Sequence, residues 1–280
     1  MGAKRDRTSP LLRAFALLER IAAAEEPVTL HEASTGAGLP KPTVYRMLAM
    51  LEEAGLVARE PEGRRIGPGP RLTRLALDTL RNGTARGPRR AILQQLVAAV
   101  GETCNLTILE GGEVVYLDRV ESAWPLRVTL QPGSRVPLHC SASGKLLLAL
   151  LPPPRRKRIV DALPLPRFTD HTIVDSRRLA AELARVRRER IATDNEEYLA
   201  GLVCVAVPVA TPQGRVVASV AVQAPVARMP LAAALSHVPV LRRAAAALGA
   251  TFAQAPAAPS STSRRPTART RAPARNGRAR

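Results

Sequence analysis

Apolar residues follow a helical period through three segments near the start of the chain and switch to strand-like alternation from Glu102 onward. In Ser9–Ala24 the residues Leu11, Phe15, Leu18, Ile21 and Ala22 fall on one helical face, with Ser9 as N-cap and Pro10 in the first turn. A second helix is expected from Thr29, where Glu32 three residues later can complete a capping box, and Gly36 and Gly38 are expected to break it. A third helix follows, with Pro42 in its first turn, where a missing N–H costs nothing. Val44, Met47, Leu48 and Leu51 form its buried stripe, which leaves Lys41, Thr43, Tyr45 and Arg46 exposed at its N-terminal end. In a helix-turn-helix that end of the second helix meets base edges and phosphates. Any two-helix hairpin in an all-α core could show the same caps and stripe, so the flanks matter. After Leu56, VAREPEGRRIG reads as two short extended pieces around Glu62-Gly63 that carry Arg59, Arg64 and Arg65. Three helices and a basic hairpin predict a winged helix-turn-helix over 8–70, with Lys41, Pro42, Thr43, Tyr45, Arg46, Arg64 and Arg65 as its DNA-facing residues.

Gly67-Pro68-Gly69-Pro70 closes this module. Arg71–Leu80 is expected as a linker helix over 71–83, with Leu72, Leu75, Ala76 and Leu80 on one side. So small a head offers that face no obvious partner, which predicts pairing with another subunit. A helix over Gly87–Val100 precedes a hairpin, Cys104–Glu110 and Glu113–Val120, around Gly111-Gly112. Leu126–Leu130 reads as a third strand, and Leu202–Val209 and Val216–Gln223 as two more. Helices are expected over Ser143–Leu151, ended by Pro152-Pro153-Pro154, near Arg156–Leu163, over Ser176–Arg190 and over Pro230–Phe252 with a break at Pro239. Hairpin strands beside separate helices predict an α+β domain with an antiparallel sheet over 84–254. Residues 255–280 are Pro, Ala, Ser, Thr and Arg without an apolar face and are expected to be disordered.

The hydrophobic content of 46% fits a globular protein, and 280 residues suffice for two domains with a core each. No apolar run is long enough for a membrane span, and no hydrophobic stretch follows Lys4, Arg5 and Arg7, so neither a membrane anchor nor a secretory leader is expected. Cys104, Cys140 and Cys204 are widely spaced and odd in number, which suggests neither a disulfide framework nor a zinc site and fits a reducing cytoplasm. The net charge is +19, yet residues 1–80 hold only +2, residues 81–254 hold +10 and residues 255–280 hold +7. Charge therefore supports nucleic-acid association weakly, and the motif carries that argument.

The chain resembles the IclR family of bacterial transcription regulators. The matching stretches are PVTLHEAS, GLPKPTVYRMLAMLEEAGLV and GPGPRL in the head, then SRVPLHCSASGKLLLAL, DNEEYLAGLVCVAVPV and AVQAPVAR in the second domain, so the likeness spans about 8–254. The resemblance implies a winged-helix head, a linker helix that helps dimerise, and a GAF-like or profilin-like domain that binds a small effector. It also implies dimers or tetramers acting on palindromic operators. It places effector contacts at the turn Ala142, Ser143 and Gly144, at Asp194 and at Cys204, and positions that are serine in some relatives are Ala221 and Gln223 here. Independently of the family, a helix starting at Ser143–Lys145 offers free N–H groups and a positive dipole end to a carboxylate.

Other motifs carry less. Ala142-Ser-Gly-Lys145 lacks the glycine and the Ser or Thr that a phosphate loop needs, since His139 and Leu146 stand there. No spacing among His139 and the cysteines supports a metal site or a nucleophile, and Arg155–Arg158 is most simply a solvated helix start. The reading is a ligand-responsive, DNA-binding regulator without cofactor or metal, a homodimer or homotetramer that takes double-stranded DNA and a small organic acid. Its rivals are an enzyme with a GAF-like catalytic domain, for which no nucleophile–base–orienter set is present, and a nucleoid-type binder driven by charge alone.

Overall fold

The computed structural model describes residues 9–24, 26–60, 63–82, 86–125 and 131–252. The strand expected over Leu126–Leu130, the wing-turn residues 61–62 and the segment 255–280 lie outside them.

In the head, α1 (Pro10–Ala23) begins at Ser9, whose hydroxyl accepts from Leu11 N. The strand β1 (Val28–Thr29) leads into α2 (Leu30–Ala37), where Thr29 and Glu32 form the expected capping box. Gly36 does not break α2; the helix ends at Gly38, whose φ of 62° places it in the left-handed region. The third helix, α3 (Lys41–Glu53), buries Val44, Met47, Leu48 and Leu51. The wing is β2 (Val57–Arg59) paired with β3 (Arg65–Pro68), and β1 joins it in the order β1-β3-β2. The α1 face departs from expectation. Its buried residues are Leu17, Leu18 and Ile21, while Leu11, Phe15 and Ala22 are exposed. The small core formed by α2, α3 and β3 covers only the C-terminal half of α1.

The linker is α4 (Pro70–Asn82). It touches both cores: Leu72 packs against the head, while Leu77 and Leu80 pack into the second domain, so much of its apolar face is used within the chain. Leu75 and Ala76 stay exposed.

The second domain starts with α5 (Arg86–Val100), then β4 (Thr103–Glu110) and β5 (Glu113–Val120) around Gly111-Gly112. Next come β6 (Arg135–Val136), α6 (Ala142–Ala149), α7 (Pro153–Ala162) and α8 (Ser176–Glu189). Last come β7 (Ala192–Asn195), β8 (Leu202–Ala210), β9 (Val216–Pro225), α9 (Leu231–Ser236) and α10 (Val238–Phe252). The strands form one antiparallel sheet in the order β6-β5-β4-β9-β8-β7. Pro153 and Pro154 do not merely end α6; they fill the first turn of α7.

Strand alternation divides this sheet by chemistry. Val203, Val205, Val207 and Val209 of β8, with Val220 and Val222 of β9, point one way into the large core with α5 and α10. Cys204, Ala206, Ser219, Ala221 and Gln223 point the other way, toward α6 and α8. Valines therefore anchor one face, and small or polar side chains leave room on the other.

Candidate functional site

The exposed start of α3 holds Lys41, Pro42, Tyr45 and Arg46 at the surface and Thr43 half-buried. Among the described residues Lys41, Arg46 and Arg64 make no ion pair. Tyr45 is 56% exposed, so its ring faces solvent at the start of α3. Arg65 is engaged: its Nη1 donates to the Pro27 carbonyl at 2.7 Å and ties β3 to the segment before β1. Arg59, which pairs with Glu52 at 2.8 Å and donates to the Gly63 carbonyl, fixes the wing to the end of α3.

Six of the seven residues expected at the effector site line one small cavity between α6 and the sheet: Ala142, Ser143, Asp194, Cys204, Ala221 and Gln223. Strand register brings them together. Asp194 of β7 lies opposite Cys204 of β8, which lies opposite Gln223 of β9. Gly144 does not line the cavity. It is a glycine because a Cβ there would meet the Leu138 carbonyl oxygen and Ser141 Oγ, both at 2.6 Å. The cap of α6 is Ser141, whose hydroxyl accepts from Gly144 N at 3.1 Å and donates to the Pro137 carbonyl. The N–H groups of Ala142 and Ser143 precede the helical ladder and have no acceptor among the described residues. Ser143 Oγ lies 3.1 Å from Ser219 Oγ.

Sequence reasoning missed Asn105, Tyr116, Val136, Ser141, Tyr198 and Leu202, which complete the wall. Their signal was faint. The alternation of β4 and β5 was legible, but not which strand lay beside β9.

Asp194 is 1% exposed, and burial pushes its carboxyl up to about 7. The backbone N–H groups of Glu197 and Tyr198, which donate to its Oδ1 at 2.8 and 3.3 Å, oppose that rise only in part. Burial likewise keeps Cys204 a neutral thiol, and all three cysteines are free. No cluster of His, Cys, Asp or Glu fit to hold a metal exists among the described residues.

Lys145, 1% exposed, turns away from this cavity and toward a second, polar one. It ion-pairs with Glu197 and, at 3.2 Å, with Glu182 of α8, so the lysine of the Ser-Gly-Lys stretch ties α6 to α8 and the β7–β8 loop.

A winged helix-turn-helix joined by a two-core helix to a separate α+β domain with a polar cavity defines a one-chain transcription regulator. The family description "IclR helix-turn-helix domain" matches residues 10–61, and "Bacterial transcriptional regulator IclR C-terminal" matches 84–250. The chain belongs to the IclR family, whose members are DNA-binding transcription regulators and not enzymes. It is 49% identical over 243 residues to a Cupriavidus necator protein described as "Probable transcriptional regulator SauR", covering 87% of this chain and 96% of that protein. The IclR structure from Thermotoga maritima is similar with a TM-score of 0.57 and 29% identity, over 85% of this chain and 96% of that one. An IclR homologue from Microbacterium hydrocarbonoxydans, solved with 4-hydroxybenzoate, matches with a TM-score of 0.55 and 27% identity, over 88% of this chain and 99% of that one. No helix among the described residues is long and apolar enough to cross a membrane.

Proposed function

We propose that this protein binds a palindromic operator as a homodimer or homotetramer in the cytoplasm, and that a small organic acid in the α6–sheet cavity controls that binding. The observation that carries the reading is the convergence, inside one buried cavity, of two unpartnered helix-start N–H groups with Asp194, Cys204, Ala221 and Gln223. The N–H groups and the helix dipole favour a carboxylate at Ala142–Ser143, while Asp194 accepts from a ligand hydroxyl when ionised. Bound 4-hydroxybenzoate in a structural neighbour supports an acid as the ligand class. In the head, Lys41, Thr43, Tyr45 and Arg46 face the major groove with Pro42 starting the helix. Arg64 meets the backbone beside the wing, and Arg65 contributes by holding β3 in place.

The test is operator binding, followed by fluorescence anisotropy on the DNA flanking the gene, with and without a panel of carboxylic acids. Arg46→Ala and Thr43→Ala are each expected to cost about 1–3 kcal/mol of specific binding with the fold intact. Asp194→Ala and Ser143→Pro should remove the acid response and spare DNA binding. Full operator affinity in both head variants places recognition elsewhere; a normal acid response in both cavity variants sinks the sensor reading.

A further inference from the structure

Gln223 is the position in the cavity where this chain's chemistry is most particular. It lies on β9, 3% exposed, at the end of a buried polar row that crosses the sheet from Arg119 on β5 through Asn105 on β4. Arg119 has only donors to offer. Its Nη1 donates to Asn105 Oδ1 at 2.9 Å, which turns the Asn105 amide so that Nδ2 donates to Gln223 Oε1 at 3.0 Å. The same Nη1 stands 3.4 Å from Gln223 Oε1. The Gln223 oxygen is therefore doubly engaged, and its Nε2 is buried without a partner in the cavity wall. Flipping the amide would set its NH₂ against two donors and forfeit both bonds, so the orientation is decided two strands away.

Resting on the effector-cavity reading above, we propose that Gln223 Nε2, held outward by Arg119 and Asn105, is the specificity determinant of the cavity and selects a short acid whose anionic oxygens accept from it. Three observations point to an anion. Three groups without a partner in this wall are donors, Gln223 Nε2 and the N–H groups of Ala142 and Ser143, against one carboxyl, Asp194, which burial pushes toward its neutral form. The helix start adds its positive dipole end. Arg119 supplies a buried cation behind the amide, its charge shared with Glu121 at 3.5 Å. Size points to a short chain. The cavity holds about 20 Å³, little more than one water, so the shorter the acid, the fewer wall side chains must move to admit it. Arg119 and Asn105 are positioning residues, since they act through Gln223.

The experiment is calorimetric titration of the full chain with glycolate, lactate, benzoate and 4-hydroxybenzoate, with melting temperature as the check on folding. Glycolate or lactate should bind and the benzoates should bind at least tenfold more weakly. Gln223→Glu, which puts an acceptor where the donor was, should weaken the short acids at least 100-fold, and Gln223→Met, without a donor, at least tenfold. In Arg119→Met the preference for glycolate over glycolamide should fall at least tenfold, a ratio that general loosening leaves unchanged. If Gln223→Glu fails to fold, Gln223→Met decides. Short acids binding Gln223→Met as tightly as wild type, or benzoates binding more tightly than short acids, overturn the proposal. Ala221→Leu, which fills the cavity, separates the two failures. Loss of binding there with normal binding in Gln223→Met leaves the cavity standing and removes Gln223 as determinant; normal binding in both variants removes the cavity reading itself.

Discussion

Burial decides the behaviour of the most consequential side chains. Asp194 carries a folded-state value of about 7 against an ordinary 3.8, so between these pH values the folded protein keeps a proton that the unfolded chain releases. Stability contributed by this group is therefore greatest at low pH and falls as pH rises through that window. Burial also disfavours the charged form of Glu182, but hydrogen bonds from Arg185 and the charge of Lys145 hold its carboxyl down to about 2, so its stabilisation is lost only below pH 4.5. The melting temperature of Asp194→Asn should vary less between pH 4.5 and 7 than that of wild type, with wild type losing on the order of a few kcal/mol over the window. Parallel pH profiles for the two proteins would remove the assignment. Lys145 is the opposite case, a buried cation shared by Glu182 and Glu197. Lys145→Met strands Glu197, while Glu182 keeps Arg185, and should cost about 3–5 kcal/mol in denaturant unfolding.

Elements show where sequence patterns carry and where they stop. The α3 stripe was legible because four apolar residues at helical spacing meet a single core, and all four are buried. The α1 stripe was half legible, since periodicity names a face but not how far along it the neighbours reach. The two-residue β6, β1 and the four-residue β7 carry too few positions to show alternation, and β7 bears Asp194. The linker α4 was expected to save its apolar face for another subunit, but it bridges two cores of its own chain through Leu72, Leu77 and Leu80. Such a helix can carry a strain from one domain to the other. Ala76→Pro, at an exposed mid-helix position, should leave acid binding by the second domain within about threefold and abolish the effect of acid on operator affinity. Anisotropy with and without acid measures it; an intact response means the coupling runs elsewhere, for example through Arg158, which pairs with Glu26 and Glu60 of the head.

At the scale of the whole molecule two features stand outside both cores, the exposed apolar residues of α1 and α4 and the arginines of residues 255–280. Leu11, Leu12 and Phe15 on α1 and Leu75 on α4 are more than half exposed, a cost to a monomer that a second copy can remove. Leu75→Lys combined with Phe15→Lys should shift sedimentation toward the monomer and weaken palindromic DNA far more than a single half-site. An unchanged sedimentation coefficient would exclude these helices from the contact. The seven arginines of residues 255–280, with no acid among them, can release counterions from DNA without reading sequence. Deleting that segment should lower specific and nonspecific affinity together and flatten the salt dependence, whereas an altered sequence preference would show a different role.

The amino-acid sequence by itself determined what depends on neighbours a few residues apart: the capping box at Thr29, the α3 stripe, the Gly111-Gly112 hairpin and the valine alternation of β8 and β9. It also carried the family likeness, through motifs long enough to be specific. Only tertiary structure decided what depends on residues far apart. Strand register set Asp194, Cys204 and Gln223 side by side, and the row from Arg119 through Asn105 oriented the Gln223 amide. The close approach of Leu138 made Gly144 a packing glycine, and an ion pair across 52 residues turned Lys145 from the cavity. The physical reason is one of range: caps and periodicity are short-range steric and hydrogen-bonding effects, while a buried site is assembled by packing, which no single segment contains.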